Sequence, residues 1–131
     1  MNVVLDSSGW VELLADAGRA HLFVPALKAK FLYVPAMVRY EVGRYALAHG
    51  GVEFKAQAES AMSKFQTLAF DETLADDAAE IAHQHKLSTA DAIIYATTRK
   101  SDAELWTQDA HFKHLPSVKY FPKDNPSRAR A

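Results

Sequence analysis

Apolar residues in this chain come in short β-branched or aromatic runs, separated by longer stretches with helical spacing. Val3-Val4-Leu5 is too brief for a helix and right for a buried strand, and it stops at Asp6. Ser7, Ser8 and Gly9 then offer N-cap chemistry ahead of Trp10, Val11, Leu13 and Leu14, which recur at helical spacing. A second helical stretch covers residues 18–30, where Pro25 predicts a break or a new first turn near Val24. Phe31 to Val34 is the second strand. Pro35 then stands at a first helical position, and the helix it starts runs to about His49, where Gly50-Gly51 end it. Residues 52–65 are again helical in pattern. Leu68-Ala69-Phe70 is a possible third strand, with Asp71 as the cap of an Ala-rich helix over 73–85. Lys86-Leu87 break the chain, and Ser88 opens a helix to about Lys100. Ala103 to Trp106 is the fourth strand, and Val118 to Phe121 the last.

Short strands alternating with helices predict an α/β fold, a three-layer α/β/α sandwich around a mainly parallel sheet. In such sheets ligands bind outside the carboxyl ends of the strands, so the residues just past each strand carry the functional question. At 131 residues the chain fits one domain, and its 49% hydrophobic and 24% charged shares exclude a disordered, collagenous or coiled-coil protein. No apolar stretch is long enough to span a bilayer. MNVVL leads straight into an aspartate, which offers no signal-peptide pattern and makes the cytoplasm the expected compartment. The absence of cysteine removes disulfides, thiol nucleophiles and Cys-ligated metals. A net charge of −1 gives no global pull toward a polyanion, so any such contact must be local. Residues 123–131 form a polar, basic tail, expected to fray.

Four acids fall at positions that solubility alone does not explain. Asp6 follows the first strand; it also suits an N-cap, although Ser7 or Ser8 can fill that role. On a wheel of residues 34–49, Met37, Val38, Val42, Tyr45 and Ala48 share one arc, and Glu41 falls inside it while Arg39, Gly43 and Arg44 fall outside. A carboxylate within an apolar stripe is costly unless paired or coordinated; the ordinary alternative is a snorkelling or ion-paired glutamate. Asp91 matches the last position of a capping box begun at Ser88, but the run Ala92 to Thr98 carries no charge, so its helix reads as buried nearly all round. Asp109 lies three residues beyond Trp106 and also suits a short-helix cap. Should these acids converge, two carboxylates ~5 Å apart repel by roughly 3 kcal/mol at an effective dielectric near 20. Such a cluster must take up protons or bind a cation. Oxygen donors without thiolates favour a hard ion, Mg²⁺ or Mn²⁺, which would also join a near-neutral protein to phosphate oxygens.

Four segments carry a family resemblance: VVLDSSGWVELL (Val3 to Leu14), VPAMVRYEVGR (Val34 to Arg44), LSTADAIIYATT (Leu87 to Thr98) and LWTQDAHF (Leu105 to Phe112). In order and spacing the chain resembles the PIN domain, in particular the ribonuclease toxins of VapBC-type toxin–antitoxin pairs, and the domain would occupy residues 1–122. The resemblance places the family's acidic quartet on Asp6, Glu41, Asp91 and Asp109, and its supporting hydroxyls on Ser8 and Thr107. It implies Mg²⁺- or Mn²⁺-dependent endonucleolytic cleavage of RNA, a homodimer, and inhibition by a cognate antitoxin protein. Arg39, Arg44, Arg99 and Lys100 are candidates to steer the RNA backbone, though each is equally an ordinary solvated charge.

Other readings are weaker. His83 and His85, two apart, cannot share a metal on one helix face; His111 and His114 can, but lack an evident third ligand. A haloacid-dehalogenase-type phosphatase needs an acid where Ser8 stands, and the acidic pair and lysine of a response-regulator receiver do not stand out. A non-catalytic protein- or RNA-binding module acting by sequestration is the alternative, with Tyr40 and Leu47 on the far side of the Glu41 helix serving either its surface or the dimer.

Overall fold

A computed structural model describes residues 1–16 and 18–123. The expected tail from residue 124 onward lies outside the described residues. Five strands, β1 (Asn2–Leu5), β2 (Phe31–Pro35), β3 (Gln66–Leu68), β4 (Ala103–Thr107) and β5 (Val118–Tyr120), form one sheet in the order β3-β2-β1-β4-β5. Every neighbouring pair is parallel. Val3, Val4 and Leu5 on β1 are buried, as a central strand covered on both faces requires.

The connections are helical: α1 (Ser7–Ala15), α2 (Ala20–Phe23), α3 (Ala36–Met62), α4 (Glu72–His85) and α5 (Thr89–Lys100). Crossovers between parallel strands are right-handed. The chain moves outward from β1 through β2 to β3, then returns past β1 to β4. That reversal puts α1 to α3 on one face of the sheet and α4 with α5 on the other. The α/β sandwich expected from the sequence is the fold found.

Local differences have physical causes. β3 lies two residues earlier than Leu68-Ala69-Phe70, because its pairing with β2 sets Tyr33, Val34 and Pro35 opposite Gln66, Thr67 and Leu68. Ala69 and Phe70 instead lead to the α4 cap at Asp71, and Phe70 is exposed. Residues 18–30 split where Pro25 predicts, with α2 passing into a 3₁₀ turn at Val24–Lys28. The glycine pair interrupts α3 at Gly51, whose φ of 73° favours glycine, and the chain resumes helix directly. The second half folds back along the first. Arg39 reaches Ser63 Oγ and Thr67 Oγ1 at 3.4 Å, whereas 24 residues of straight helix would span about 36 Å. This hairpin also corrects the predicted arc on α3: Gly43 is buried under the returning half, and Ala48 is exposed. The buried stripe is Val38, Val42 and Ala46, and Glu41 sits half-buried at its shoulder.

Candidate active site

β1 and β4 are adjacent at the centre of the sheet, so the residues following them emerge side by side at its carboxyl edge. Asp6 follows β1. Gln108 and Asp109 follow β4, which ends at Thr107. The first turn of α5 brings Asp91 to the same edge, and the second turn of α3 brings Glu41. All four acids line one pocket of about 390 Å³, together with Ser7, Ser8, Ile94, Gln108, Ala110 and Lys123.

Asp6 is the deepest of the four, at 5% exposure. It is itself the N-cap of α1, a role the sequence left equally to Ser7 or Ser8. Its Oδ1 accepts from Gly9 N at 3.1 Å and from Ser8 Oγ at 2.7 Å, and its Oδ2 accepts from the Thr107 hydroxyl. Thr107 Oγ1 in turn accepts from Asp109 N at 2.9 Å, so a single hydroxyl ties two acids from different segments together. Burial holds the Asp6 carboxyl above the ordinary carboxylate range; the bonds from Thr107, Ser8 and Gly9 oppose the rise, and the Asp109 charge adds to it.

Asp91 stands at the mouth of a helix whose residues Ala92 to Thr98 are all buried, as its uncharged sequence predicts. Ser88 caps that helix, accepting from Asp91 N at 3.5 Å. Burial, then the Asp109 charge, raises the Asp91 carboxyl above its usual range, against contributions from Ser88 and His111 that lower it. Asp109 caps the 3₁₀ turn at Ala110–Phe112, accepting from His111 N at 2.8 Å. Glu41 accepts a hydrogen bond from the Ser7 hydroxyl.

The tightest part of the cluster includes a residue that sequence spacing alone does not bring to the acids. His111 Nδ1 lies 3.2 Å from Asp109 Oδ1 and 3.3 Å from Asp91 Oδ2. Asp91, Asp109 and His111 each present one ligand atom within 4.8 Å of the others, while Asp6 and Glu41 line the same pocket outside that group of three. His114 does not join it. The donors are carboxylate oxygens and one imidazole, with no sulfur, a set suited to a hard or borderline divalent cation.

Arg39, Arg44, Arg99 and Lys100 do not line the acidic pocket. Arg39 is engaged with Ser63 and Thr67, Arg99 with Tyr95 and Ser117, and Lys100 lies 3.9 Å from Asp71. Arg99 and Lys100 occupy the end of α5 opposite to Asp91. Arg44 shares a shallow depression with Tyr40 and Glu41 beside the pocket. Among the described residues the cation at the pocket wall is Lys123, and the segment leading to it is held by Arg19. The Arg19 guanidinium donates to the Gln108 side chain and to the carbonyls of Phe121 and Pro122, at 3.2 and 3.1 Å for the carbonyls. Arg19 and Lys123 carry no periodic or spacing signal in the sequence, whereas Gln108 stands just past β4, where the sheet-edge rule directs attention.

Residues 3–118 match the PIN domain. The chain belongs to the PIN domain family. Its fold matches several solved PIN domain structures over nearly their whole length. A toxin–antitoxin complex from Klebsiella pneumoniae is 21% identical, with 89% of this chain and 95% of that chain covered and a TM-score of 0.79. VapC20 of Mycobacterium tuberculosis, a sarcin–ricin loop cleaving toxin, is 20% identical, with 92% and 99% covered and a TM-score of 0.77. VapBC2 from Rickettsia felis, bound to a DNA fragment from its promoter, is 14% identical, with 93% and 100% covered and a TM-score of 0.75. At these identities the likeness establishes the PIN fold. No curated protein matches the chain in sequence. Among the described residues, no helix of this PIN domain is long and apolar enough to cross a membrane.

Proposed function

We propose that this PIN domain is a divalent-metal-dependent endoribonuclease and the toxin of a type II toxin–antitoxin pair. The observation that carries the reading is one pocket at the sheet's carboxyl edge lined by Asp6, Glu41, Asp91 and Asp109, which come from four separate segments of the chain. Acids packed together and partly desolvated are an arrangement that a cation relieves. The toxin assignment draws on the solved structures the fold resembles, among them complexes of a toxin with its antitoxin.

Asp6, Asp91 and Asp109 would hold Mg²⁺ or Mn²⁺, with Glu41 as a further ligand or as the group that orients the attacking water. The ion, when bound, supplies Lewis acidity toward a phosphoryl oxygen. Ser8 and Thr107 fix both oxygens of Asp6, and Ser7 fixes Glu41, so these carboxylates meet the substrate already oriented. In the hydrolysis, the water oxygen bonds to phosphorus and the bond from phosphorus to one ribose oxygen breaks. The water gives up a proton, and the departing ribose oxygen gains one. Glu41, which lines the pocket, would accept the hydrogen bond that aims the water. Lys123 gives the RNA backbone a cationic contact without sequence choice.

The protein would act as a homodimer in the cytoplasm, held silent by an antitoxin protein. Incubating the purified protein with total RNA and Mg²⁺ or Mn²⁺ tests the chemistry. Cleavage abolished by EDTA is the expected result; cleavage indifferent to the chelator removes the metal mechanism. Growth arrest on expression, relieved by co-expressing the neighbouring gene, tests the toxin assignment.

A further inference from the structure

We propose that His111 is a nitrogen ligand to the same ion that Asp91 and Asp109 hold, and that it biases the site toward a first-row transition ion such as Mn²⁺ over Mg²⁺. This rests on the divalent-ion reading above and deepens it. The imidazole is not a bystander on the pocket rim. Its Nδ1 lies within 3.3 Å of an oxygen from each of two acids that are 18 residues apart in the chain. The backbone places it there. Asp109 caps the 3₁₀ turn by accepting from the His111 amide at 2.8 Å, which holds the His111 backbone at the Asp109 carboxylate. The ring is 73% exposed, so apolar packing does not account for its orientation. The partners it faces are the two carboxylates.

Ligand chemistry then decides which ion gains. Mg²⁺ demands an all-oxygen shell and keeps much of its water, so an imidazole adds little to its binding. First-row transition ions accept imidazole nitrogen readily, and their affinity for mixed nitrogen–oxygen sites rises along the series from Mn²⁺. A quartet of carboxylates alone would not discriminate in this way. The nitrogen donor is what separates this pocket from a purely oxygen one.

The test reads the metal directly, apart from RNA cleavage. Electron spin-echo modulation of Mn²⁺-loaded wild-type protein is expected to show coupling to an imidazole nitrogen. His111→Ala should abolish that modulation, and His114→Ala, as the control on the neighbouring histidine, should retain it. Outer-shell partners alone are worth ~10–100-fold in metal affinity. Loss of a direct ligand should therefore weaken Mn²⁺ binding at least about tenfold, while Mg²⁺ binding, measured by competition against Mn²⁺, stays nearly unchanged. His111 is exposed, so its truncation removes no core packing, and the wild-type spectrum is decisive without the variant. Bound Mn²⁺ with no nitrogen modulation, in protein that still cleaves RNA, would overturn the proposal and leave the nuclease reading standing. So would equal weakening of both ions by His111→Ala. Wild-type protein that binds no Mn²⁺ would overturn this proposal together with the metal-dependent reading.

Discussion

Asp6 and Asp71 do the same local job. Each is the N-cap of a helix that follows a strand, with an oxygen accepting from the backbone N–H three residues on, at 3.1 Å for Gly9 and 2.9 Å for Leu74. In sequence they look alike: a short apolar run, an aspartate, then a helical pattern. In the fold they are opposites. The Asp71 side chain is 59% exposed, with Lys100 at 3.9 Å, in a solvated setting where such a pair adds little. Asp6 is sealed at the centre of the sheet edge, bound by two hydroxyls and next to another acid. Capping geometry by itself therefore carries no functional information here. What distinguishes the two aspartates is the position of their strands: β1 is central, flanked by β4, and β3 is an edge strand.

The largest expected contrast is in activity. Asp6→Asn or Asp91→Asn should reduce RNA cleavage by at least roughly a hundredfold, while Asp71→Asn leaves it intact. Cleavage time courses on one RNA check this; equal activity in all variants would dissolve the contrast between the two caps.

Metal should come next. In metal-free protein the clustered acids oppose folding, so a divalent ion at ~100 times its dissociation constant should stabilise by about 2.7 kcal/mol. For a domain of this size that is roughly a 5–15 °C rise in melting temperature. Asp71→Asn should show the same rise, and Asp6→Asn a much smaller one. Calorimetry with and without EDTA measures both.

The pH dependence sharpens the comparison. Asp6 and Asp91 are held above the ordinary value of 3.8. A folded value above the unfolded one means that the native state retains protons the unfolded chain releases. The resulting stability is complete below the unfolded value and is lost as pH rises through the raised native value. Metal-free Asp6→Asn, whose amide still caps α1, should therefore melt above wild type, by a margin that grows from the ordinary Asp range toward neutral pH. A margin independent of pH would mean that the buried charge of Asp6 is not what opposes folding.

Smallest is the cap itself. Asp71→Ala should cost about 1 kcal/mol, or a few degrees, with cleavage unchanged. Arg99→Gln and Lys100→Gln should leave cleavage near wild type, because both side chains lie at the far end of α5 from Asp91.

Much of this was legible in the chain, residue by residue. Pro25, Gly51 and Lys86 mark the breaks where the helices do break or turn, and Asp71 and Ser88 mark caps that form. The uncharged run after Asp91 announces a buried helix, and the acids just past β1 and β4 announce the sheet edge. These signals are local: backbone preference and hydrophobic period act over a few residues, and the chain spells them out. The Leu68 strand is misplaced by two residues in the sequence pattern because its register is set by β2, a partner more than thirty residues away.

Local pattern in the chain set the element types and their order, and it singled out four acids whose capping or solvated roles left a shared site open. Tertiary packing made Asp6 both cap and pocket floor, engaged Arg39, Arg99 and Lys100 elsewhere, set His111 against Asp91 as well as Asp109, and brought Arg19 and Lys123 to the site. The reason is physical. Burial and the approach of charges depend on how distant strands pair, and that pairing is fixed by the packing of the whole core.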